Sequence, residues 1–173
     1  DNNRKLVSLF HKSITENELL YLDDVTRMKV LSNSNGKLKF TITPKGEKNI
    51  VLTTPLPGKY QVRNAAASYF IVKQFLFETG NKFQPGKFKK GISDVKKNTG
   101  YFGRLELFNK NGKQYLLDVS HNPDGIKNAI TSVKNIGFKP DVVIFGIMSD
   151  KDHKSALREI QSKPKNIILT KPD

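Results

Sequence analysis

The sequence contains no cysteine, and this absence excludes several chemistries at once. Disulfide frameworks, thiolate metal sites and cysteine nucleophiles all need a residue that the 173-residue chain lacks. No apolar run of about 18 residues exists, and no signal-peptide segment follows Asp1. These absences predict a soluble cytoplasmic protein with no membrane partner.

Sequence motifs that identify a catalytic site on their own are missing as well. The sequence has no G-x-x-x-x-G-K-[ST] loop, G-x-G-x-x-G turn, G-x-S-x-G elbow or H-E-x-x-H pair. It also lacks an arginine-rich tract and the alternation of aromatic and basic residues that a nucleic-acid stacking platform requires. Any function must therefore be inferred from weaker signals.

The positive charge is large, but it is not concentrated in one tract. The formal net charge is +14, and six lysines with one acid lie between Lys82 and Lys97, while the other lysines are scattered. A lysine-rich composition with a site for anionic ligands explains this pattern, and a dedicated nucleic-acid surface is the alternative. We expect no dedicated nucleic-acid partner.

The first region, residues 1–59, reads as a small antiparallel β-meander. Turn signals lie at Asn33-Ser34-Asn35-Gly36 and at Pro44-Lys45-Gly46. The predicted strands are the short apolar or alternating runs Leu6–Phe10, Leu19–Val25, Met28–Leu31, Leu38–Ile42 and Ile50–Thr53.

Two helices are expected next. Tyr60–Thr79 is apolar nearly all round, which is typical of a buried helix, and Gly80 is its expected C-cap. Asn64, near its start, is either a capping or turn residue or a ligand-binding amide. Pro85–Lys97 is a second amphipathic helix that carries the lysine cluster. The pattern then changes, which predicts a domain boundary between residues 99 and 100.

A hairpin opens the second region, with strands Leu105–Phe108 and Gln114–Val119 and a primed turn at Asn111-Gly112. Arg104 stands just before it. This arginine is either a solvated rim charge or a phosphate clamp that reaches across an interdomain cleft.

The segment Tyr115–Gly125 carries the candidate chemistry. It reads as a strand that runs into a helix with Asn122 as N-cap and Pro123 at the first helical position, which is half of a βαβ unit. Ligands bind beyond the carboxyl ends of strands in open α/β sheets. Asp118 and His121 are therefore candidate site residues, and a structural hydrogen bond between them is the alternative.

The remaining pattern extends an α/β fold. Asp141–Phe145 is a continuous apolar strand suited to burial on both faces. Ser149 and Asp152 have the spacing of a capping box, which predicts a helix as far as Ser162, and Asn166–Leu169 is a further strand.

Four short motifs in this order resemble segments of folylpolyglutamate synthases and dihydrofolate synthases, relatives of the Mur peptidoglycan ligases. The Leu-Pro-Gly-x-Tyr-Gln-x-x-Asn run from Leu56 strengthens the resemblance, which extends to Asp173. The motifs are Asn64-Ala65-Ala66-Ala67, Gly103-Arg104, Asp118-x-x-His121-Asn122-Pro123 and Asp150-Lys151-Asp152.

The resemblance implies an α/β architecture in which the end of a central ATPase domain, a β-meander plus helices over residues 1–99, precedes a Rossmann-like C-terminal ligase domain over residues 100–173. It implies an ATP-dependent ligase, a monomer, that activates a folate carboxyl as an acyl phosphate and joins it to glutamate. The implied partners are ATP, Mg²⁺, folate or dihydropteroate, and L-glutamate.

The resemblance also implies roles for individual residues. Asn64 would contact the adenine side of ATP, Arg104 the phosphates and Asp118 the ribose region. A catalytic His121 would lie near the reacting groups. Lys151 would help to hold an anionic substrate.

The sequence departs from the family at Phe102, where proline is usual, and at Val119-Ser120, where Gly-Ala is usual. The family's phosphate-binding loop, magnesium ligands and carbamylated lysine would lie upstream of Asp1, so we expect a fragment without metal ligands that does not turn over ATP alone. A Mur-type ligase for peptidoglycan precursors and a non-enzymatic nucleotide- or nucleic-acid-binding module are the alternatives. The His-Asn-Pro form and the Asn-Ala-Ala-Ala run favour folate.

Overall fold

The computed structural model describes residues 20–34, 36–161 and 166–170, so the predicted strand Leu6–Phe10 lies outside the described residues. The helices are α1 (Leu22–Val25), α2 (Tyr60–Glu78), α3 (Pro85–Ser93), α4 (Val95–Thr99), α5 (Pro123–Asn135) and α6 (His153–Gln161). The strands are β1 (Thr26–Ser34), β2 (Lys37–Pro44), β3 (Ile50–Thr54), β4 (Glu106–Lys110), β5 (Lys113–Leu117), β6 (Val142–Gly146) and β7 (Asn166–Thr170). Across these residues, no helix combines the length and the apolar character that a membrane span needs.

The first three strands form the predicted antiparallel meander in the order β1-β2-β3. The central strand β2 turns Leu38, Phe40 and Ile42 towards the core, and all three are 0% exposed. This follows from its alternating sequence, which places every second side chain on one face. The predicted strand Leu19–Val25 is wrong over its described part, because residues 22–25 form α1, whose first turn holds two acids that are depleted in strands.

Helix α2 covers the meander with one face. Val62, Ala65, Ala66 and Tyr69 are buried against the sheet. The prediction that this helix is buried all round is wrong, since its opposite side leaves Ile71, Phe75 and Phe77 exposed. Its end matches the prediction, because Gly80 adopts a positive φ of 70° just after the last turn.

A polar anchor and an aromatic cluster fix α2 in place. The Tyr69 hydroxyl donates to Glu47 Oε2 at 2.5 Å, and Lys73 Nζ donates to Glu47 Oε1 at 2.6 Å. The Tyr69 ring meets the rings of Phe83 and Phe88 edge-on, at centroid distances of 5.0 and 5.5 Å. Burial, together with the hydrogen bond to Glu47, raises the pKa of Tyr69 above its ordinary value.

The second predicted helix is divided into α3 and α4 at Asp94. The Asp94 N–H still donates to the Lys90 carbonyl at 2.9 Å, but its backbone leaves the helical region there. The short aspartate side chain competes for local hydrogen bonds and so disfavours a helix interior. Gly100, with a φ of 64°, then ends α4.

The predicted hairpin is confirmed in strands β4 and β5. Asn111 and Gly112 have φ values of 51° and 70°, the positive pair that a type I′ turn needs. Phe108 and Tyr115 face each other in the register and stack at 5.3 Å. The two-stranded sheet is separate from the others over the described residues.

The parallel βαβ unit is β6–α6–β7, not the predicted unit that begins with β5. Its covered face packs against α5 and α6 around the buried residues Ile126, Ala156 and Ile160. The predicted burial of the Asp141–Phe145 strand on both faces is wrong, since Val142 and Ile144 are 47% and 71% exposed. The predicted α/β class is confirmed.

Helices α5 and α6 are capped at their N-termini by different residue types. Asn122 Oδ1 accepts the Gly125 N–H at 2.7 Å, as predicted for α5. Before α6, Asp152 caps in place of Ser149, because its Oδ1 accepts the Ser155 N–H at 3.0 Å and the helix begins at His153. The predicted strand Asn166–Leu169 is present as β7.

Candidate functional site

A cavity of about 270 Å³ lies where the end of β3 meets the first turns of α2 and the α3–α4 segment. Leu56, Ala65, Ile92 and Val95 make most of its wall apolar. Its polar lining comes from Thr54, Gln61, Asn64, Ser68, Thr99 and Tyr101. An apolar cleft with a few amides and hydroxyls suits a flat organic ligand.

Asn64 stands on the wall of this cavity. It lies in the second turn of α2, one turn inside the helix, so the alternative of a capping role is wrong. Its Nδ2 donates to Gln61 Oε1 at 3.0 Å. This bond orients both amides, since an amide nitrogen can only donate and the carbonyl oxygen can only accept.

Arg104 is tied to the same cavity through Tyr101. Its Nε donates to the Tyr101 hydroxyl at 2.9 Å, and Tyr101 also lines the cavity. Arg104 is half-buried, unlike a freely solvated rim charge. The guanidinium therefore has a defined orientation near the cavity, with its Nη1 and Nη2 donors available to bind an anion.

Asp118 accepts two hydrogen bonds from backbone N–H groups, one of them in the turn that carries Arg104. Its Oδ2 accepts the Leu105 N–H at 3.0 Å and its Oδ1 accepts the Ser120 N–H at 2.8 Å. His121 Nδ1 instead lies 3.3 Å from the Val119 carbonyl. Among the described residues no hydrogen bond joins Asp118 to His121, so that alternative is wrong.

Leu105 adopts a conformation that is unusual for its side chain. Its φ is 49°, in the left-handed region, and it is only 1% exposed. Such a residue costs on the order of 1–3 kcal/mol of backbone strain, and it persists only where its surroundings hold it. The Asp118 carboxylate on its N–H and the burial of its side chain are two such constraints.

The neighbouring Gly103 is held just as firmly. Its N–H donates to Glu106 Oε2 at 2.8 Å, and its carbonyl accepts the Val119 N–H at 2.8 Å. The Gly103 hydrogen bond holds the pKa of Glu106 below its ordinary value, and Lys96, 3.3 Å away, acts in the same direction. A Cβ on Gly103 would lie 2.8 Å from Val119 Cγ1, so this position requires glycine.

Tyr60, which the sequence analysis did not single out, is influenced electrostatically by two of the predicted residues. Burial raises the pKa of its hydroxyl, the nearby charge of Asp118 adds to this effect, and Arg104 opposes it. The hydroxyl therefore lies within the field of both predicted residues. The signal in the sequence was its place in the Leu-Pro-Gly-x-Tyr run.

His121 and Lys151 belong to a second group, around Asp150. Lys151 Nζ donates to Asp150 Oδ2 at 2.8 Å. This hydrogen bond is the main cause of the lowered pKa of Asp150, and the charge of His121 contributes a smaller effect in the same direction. The predicted residues therefore divide between the cavity side (Asn64, Arg104 and Asp118) and the Asp150 side.

The charged groups elsewhere give no metal centre. Over residues 20–34, 36–161 and 166–170 no group of three or more His, Asp or Glu side chains could hold an ion. Within the lysine cluster, Lys90 pairs with Asp94 at 2.8 Å and Lys96 pairs with Glu106 at 3.3 Å. These two lysines are thus paired with local carboxylates.

Residues 103–173 match the family described as Mur ligase, glutamate ligase domain. Folylpolyglutamate synthase from Lacticaseibacillus casei is 31% identical over 66% of this chain and 26% of its own length. The UDP-N-acetylmuramoyl-L-alanyl-D-glutamate–2,6-diaminopimelate ligase from Lawsonia intracellularis is 30% identical over 72% of this chain and 24% of its own length. The chain therefore spans about a quarter of the length of these curated relatives.

Solved structures of folylpolyglutamate synthases (FPGS) share the fold of this chain. An FPGS–AMPPCP–folate complex matches with a TM-score of 0.69 and 27% identity, over 82% of this chain and 34% of that one. Folylpolyglutamate synthase from Thermotoga maritima matches with a TM-score of 0.63 and 28% identity, over 86% of this chain and 34% of that one. The predicted fold class is confirmed by these matches, whereas the domain boundary at residues 99 and 100 stays a prediction.

Proposed function

We propose that this chain, whose residues 103–173 match the glutamate ligase domain of Mur ligases, is part of an ATP-dependent ligase that adds L-glutamate to a folate or to dihydropteroate. The relatives named folylpolyglutamate synthase support this substrate class. The solved relative with AMPPCP and folate supports the same pair of ligands.

The proposed reaction has two steps. A carboxylate oxygen of the folate attacks the γ-phosphorus of ATP, ADP leaves, and an acyl phosphate forms. The amino nitrogen of glutamate then attacks the acyl carbon, the bond from that carbon to the phosphate oxygen breaks, and phosphate leaves as the nitrogen loses a proton. Both steps depend on holding anionic groups close together, so positioned cations and hydrogen-bond donors are the main contribution that the protein makes.

The observation that carries this proposal is the link from the cavity to Arg104 through Tyr101. The cavity, with Asn64 on its wall, would hold the adenine. Arg104 would bind the phosphates, because a guanidinium offers phosphate oxygens a fixed fork of donors. A nucleotide needs these two features side by side, an apolar slot and an adjacent anion-binding group.

The other predicted residues take supporting roles in the proposal. Asp118 would accept a ribose hydroxyl, since each carboxylate oxygen can accept more than the one backbone N–H it has here. His121 would lie near the reacting groups. Lys151 would bind an anionic substrate in competition with Asp150, its present partner.

Magnesium is the expected cofactor of an ATP-dependent ligase. The described residues include no cluster of carboxylates or histidines that fits it, so no step of the reaction is assigned to a metal held by these residues. In the proposal, the cation would neutralise phosphate charge.

The test is Arg104→Ala in the full-length gene product. Loss of a charge-assisted clamp worth about 1.5–3 kcal/mol should lower kcat/KM for ATP by about ten- to a hundredfold while the fold stays intact. Arg27→Ala is the matched control, because Arg27 is an exposed arginine on β1. Near-normal ATP kinetics for Arg104→Ala, beside an unchanged melting curve, would contradict the proposal.

A peptidoglycan-precursor ligase is the second candidate. Its support is the similarity to the diaminopimelate ligase of Lawsonia intracellularis. A substrate panel decides between the two. ADP release that depends on folate or dihydropteroate together with glutamate supports the first candidate. Release that depends on a UDP-muramoyl peptide together with diaminopimelate supports the second.

A further inference from the structure

Among the described residues that line the cavity, Tyr101 is the one that also hydrogen-bonds to Arg104. Tyr101 lines the cavity on whose wall Asn64 lies. Its hydroxyl accepts the Arg104 Nε–H at 2.9 Å. Tyr101 is 41% exposed, so part of the residue is open to contact with a ligand.

The backbone on both sides of Tyr101 is held in place. Its own N–H donates to Thr99 Oγ1 at 3.2 Å, and Gly100 ends α4 in the left-handed conformation with a φ of 64°. On the far side, the Gly103 N–H is bound to Glu106 and the Leu105 N–H to Asp118. The short segment from Tyr101 to Arg104 is therefore fixed at both ends.

The chemistry of this pair suits a nucleotide. With Nε–H donated to the tyrosine hydroxyl, the guanidinium is oriented by this bond and its Nη1 and Nη2 donors remain for an anion. The tyrosine ring offers a flat apolar face of the kind on which a nucleobase stacks. One end of the pair thus fits a base, and the other end fits phosphate.

We propose that Tyr101 is a positioning residue for nucleotide binding: its ring forms one wall of the base cavity, and its hydroxyl orients Arg104 towards the phosphates. This proposal rests on the nucleotide-dependent function proposed above. It assigns separate roles to the ring and to the hydroxyl, so the two can be tested separately.

The experiment measures the affinities of adenosine and AMPPCP for the full-length gene product and its variants by calorimetry. Tyr101→Phe keeps the ring, so adenosine should bind within about twofold of wild type, whereas AMPPCP should bind about three- to tenfold more weakly. Tyr101→Ala removes the ring, so adenosine binding should also weaken by about tenfold. Tyr115→Phe is the matched control, because Tyr115 is 42% exposed on β5 and stacks on Phe108.

A double-mutant cycle then tests the coupling. If the hydroxyl acts through Arg104, Tyr101→Phe should cause no additional loss of AMPPCP affinity in the Arg104→Ala background. Wild-type AMPPCP affinity for Tyr101→Phe, or an equal loss in both backgrounds, overturns the inference but leaves the proposed function standing. Failure of the wild-type protein to bind either ligand overturns the proposed function itself, and the inference with it.

Discussion

The two regions of the molecule bury their apolar side chains to very different extents. Over the part of the chain that the structure describes, the core under α2 contains nine buried residues, among them Phe40 and Tyr69, whereas the core around α5 and α6 contains three, Ile126, Ala156 and Ile160. Both regions are rich in Ile, Val, Leu and Phe. Hydrophobic composition alone therefore does not decide how much core a segment has.

The difference comes from what covers each sheet. The central strand β2 of the meander has a neighbouring strand on each side and α2 across its face. The parallel pair β6–β7 has α5 and α6 on one face, and on the other Val142, Ile144 and Ile168 are 47%, 71% and 52% exposed. Parallel strands are usually apolar on both faces. A strand of this kind is only as buried as the layers packed against it.

The candidate site lies where the first region meets the turn that precedes the β4–β5 hairpin. Lys96 and Glu106 pair at 3.3 Å across the predicted boundary, and Leu105 Cδ1 would lie 3.1 Å from a Cβ placed on Gly58. The turn that carries Arg104 is held by these contacts and by the Asp118 carboxylate. Its geometry therefore depends on the junction rather than on either core.

The largest expected effect is on the meander core. Phe40→Ala should lower the free energy of unfolding by about 3–5 kcal/mol, because Phe40 is 0% exposed and the rigid sheet cannot close the cavity. Urea titration followed by circular dichroism measures this change. Phe77→Ala is the control, since Phe77 is 78% exposed at the end of α2 and should cost less than about 0.5 kcal/mol. Equal losses for the two variants would contradict the contrast in burial.

A smaller effect is expected at the polar anchor between α2 and the meander. Tyr69→Phe removes the hydroxyl that donates to Glu47 at 2.5 Å, and a hydrogen bond to a charged group contributes about 1.5–3 kcal/mol. The ring contacts with Phe83 and Phe88 remain, so the variant isolates the hydrogen bond. Urea titration at neutral pH should show this loss.

The same anchor predicts a pH dependence. Burial raises the pKa of Glu47, but the hydrogen bonds from Lys73 and Tyr69 and the charge of Lys73 outweigh it, so the pKa lies below its ordinary value. A lowered folded-state pKa means that the stabilisation is complete above the unfolded value of about 4.3 and is lost as the pH falls through the folded value. The difference between wild type and Tyr69→Phe should therefore shrink from pH 7 to pH 3. A constant difference over that range would be inconsistent with an ionised acceptor.

Local features of the fold were predictable from the sequence, because they depend on neighbours along the chain. The meander, the Asn111-Gly112 turn and the Asn122 cap are of this kind. The open side of α2 and the open face of β6 were not predictable, since their patterns are apolar on both sides and only the packing partners differ.

The candidate site likewise combines residues that local motifs indicate with residues that only the fold brings together. Arg104 and Asp118 were singled out from short motifs, and in the fold the charges of both influence the pKa of the Tyr60 hydroxyl. Tyr60 entered only as part of the Leu-Pro-Gly-x-Tyr run and Tyr101 not at all, because an aromatic side chain does not by itself indicate a ligand role. Tyr101 gains its importance from Asn64, 37 positions earlier in the chain, through the shared cavity. Such a pairing becomes visible only when the chain is folded.

The smallest expected effect lies on the open face of β6, and it tests the contrast within a single strand. Ile144→Thr should change the free energy of unfolding by less than about 0.5 kcal/mol, because Ile144 is 71% exposed and water can solvate the new hydroxyl. Val143→Thr is the matched variant on the covered face, where Val143 packs against the cluster of Ile126, Ala156 and Ile160. Valine and threonine have nearly the same shape, but a hydroxyl buried at position 143 without a partner should lower the free energy of unfolding by about 1–3 kcal/mol. Urea titration of the two variants side by side gives the comparison directly. If Ile144→Thr were as costly as Val143→Thr, the face that is open here would have to be covered in solution.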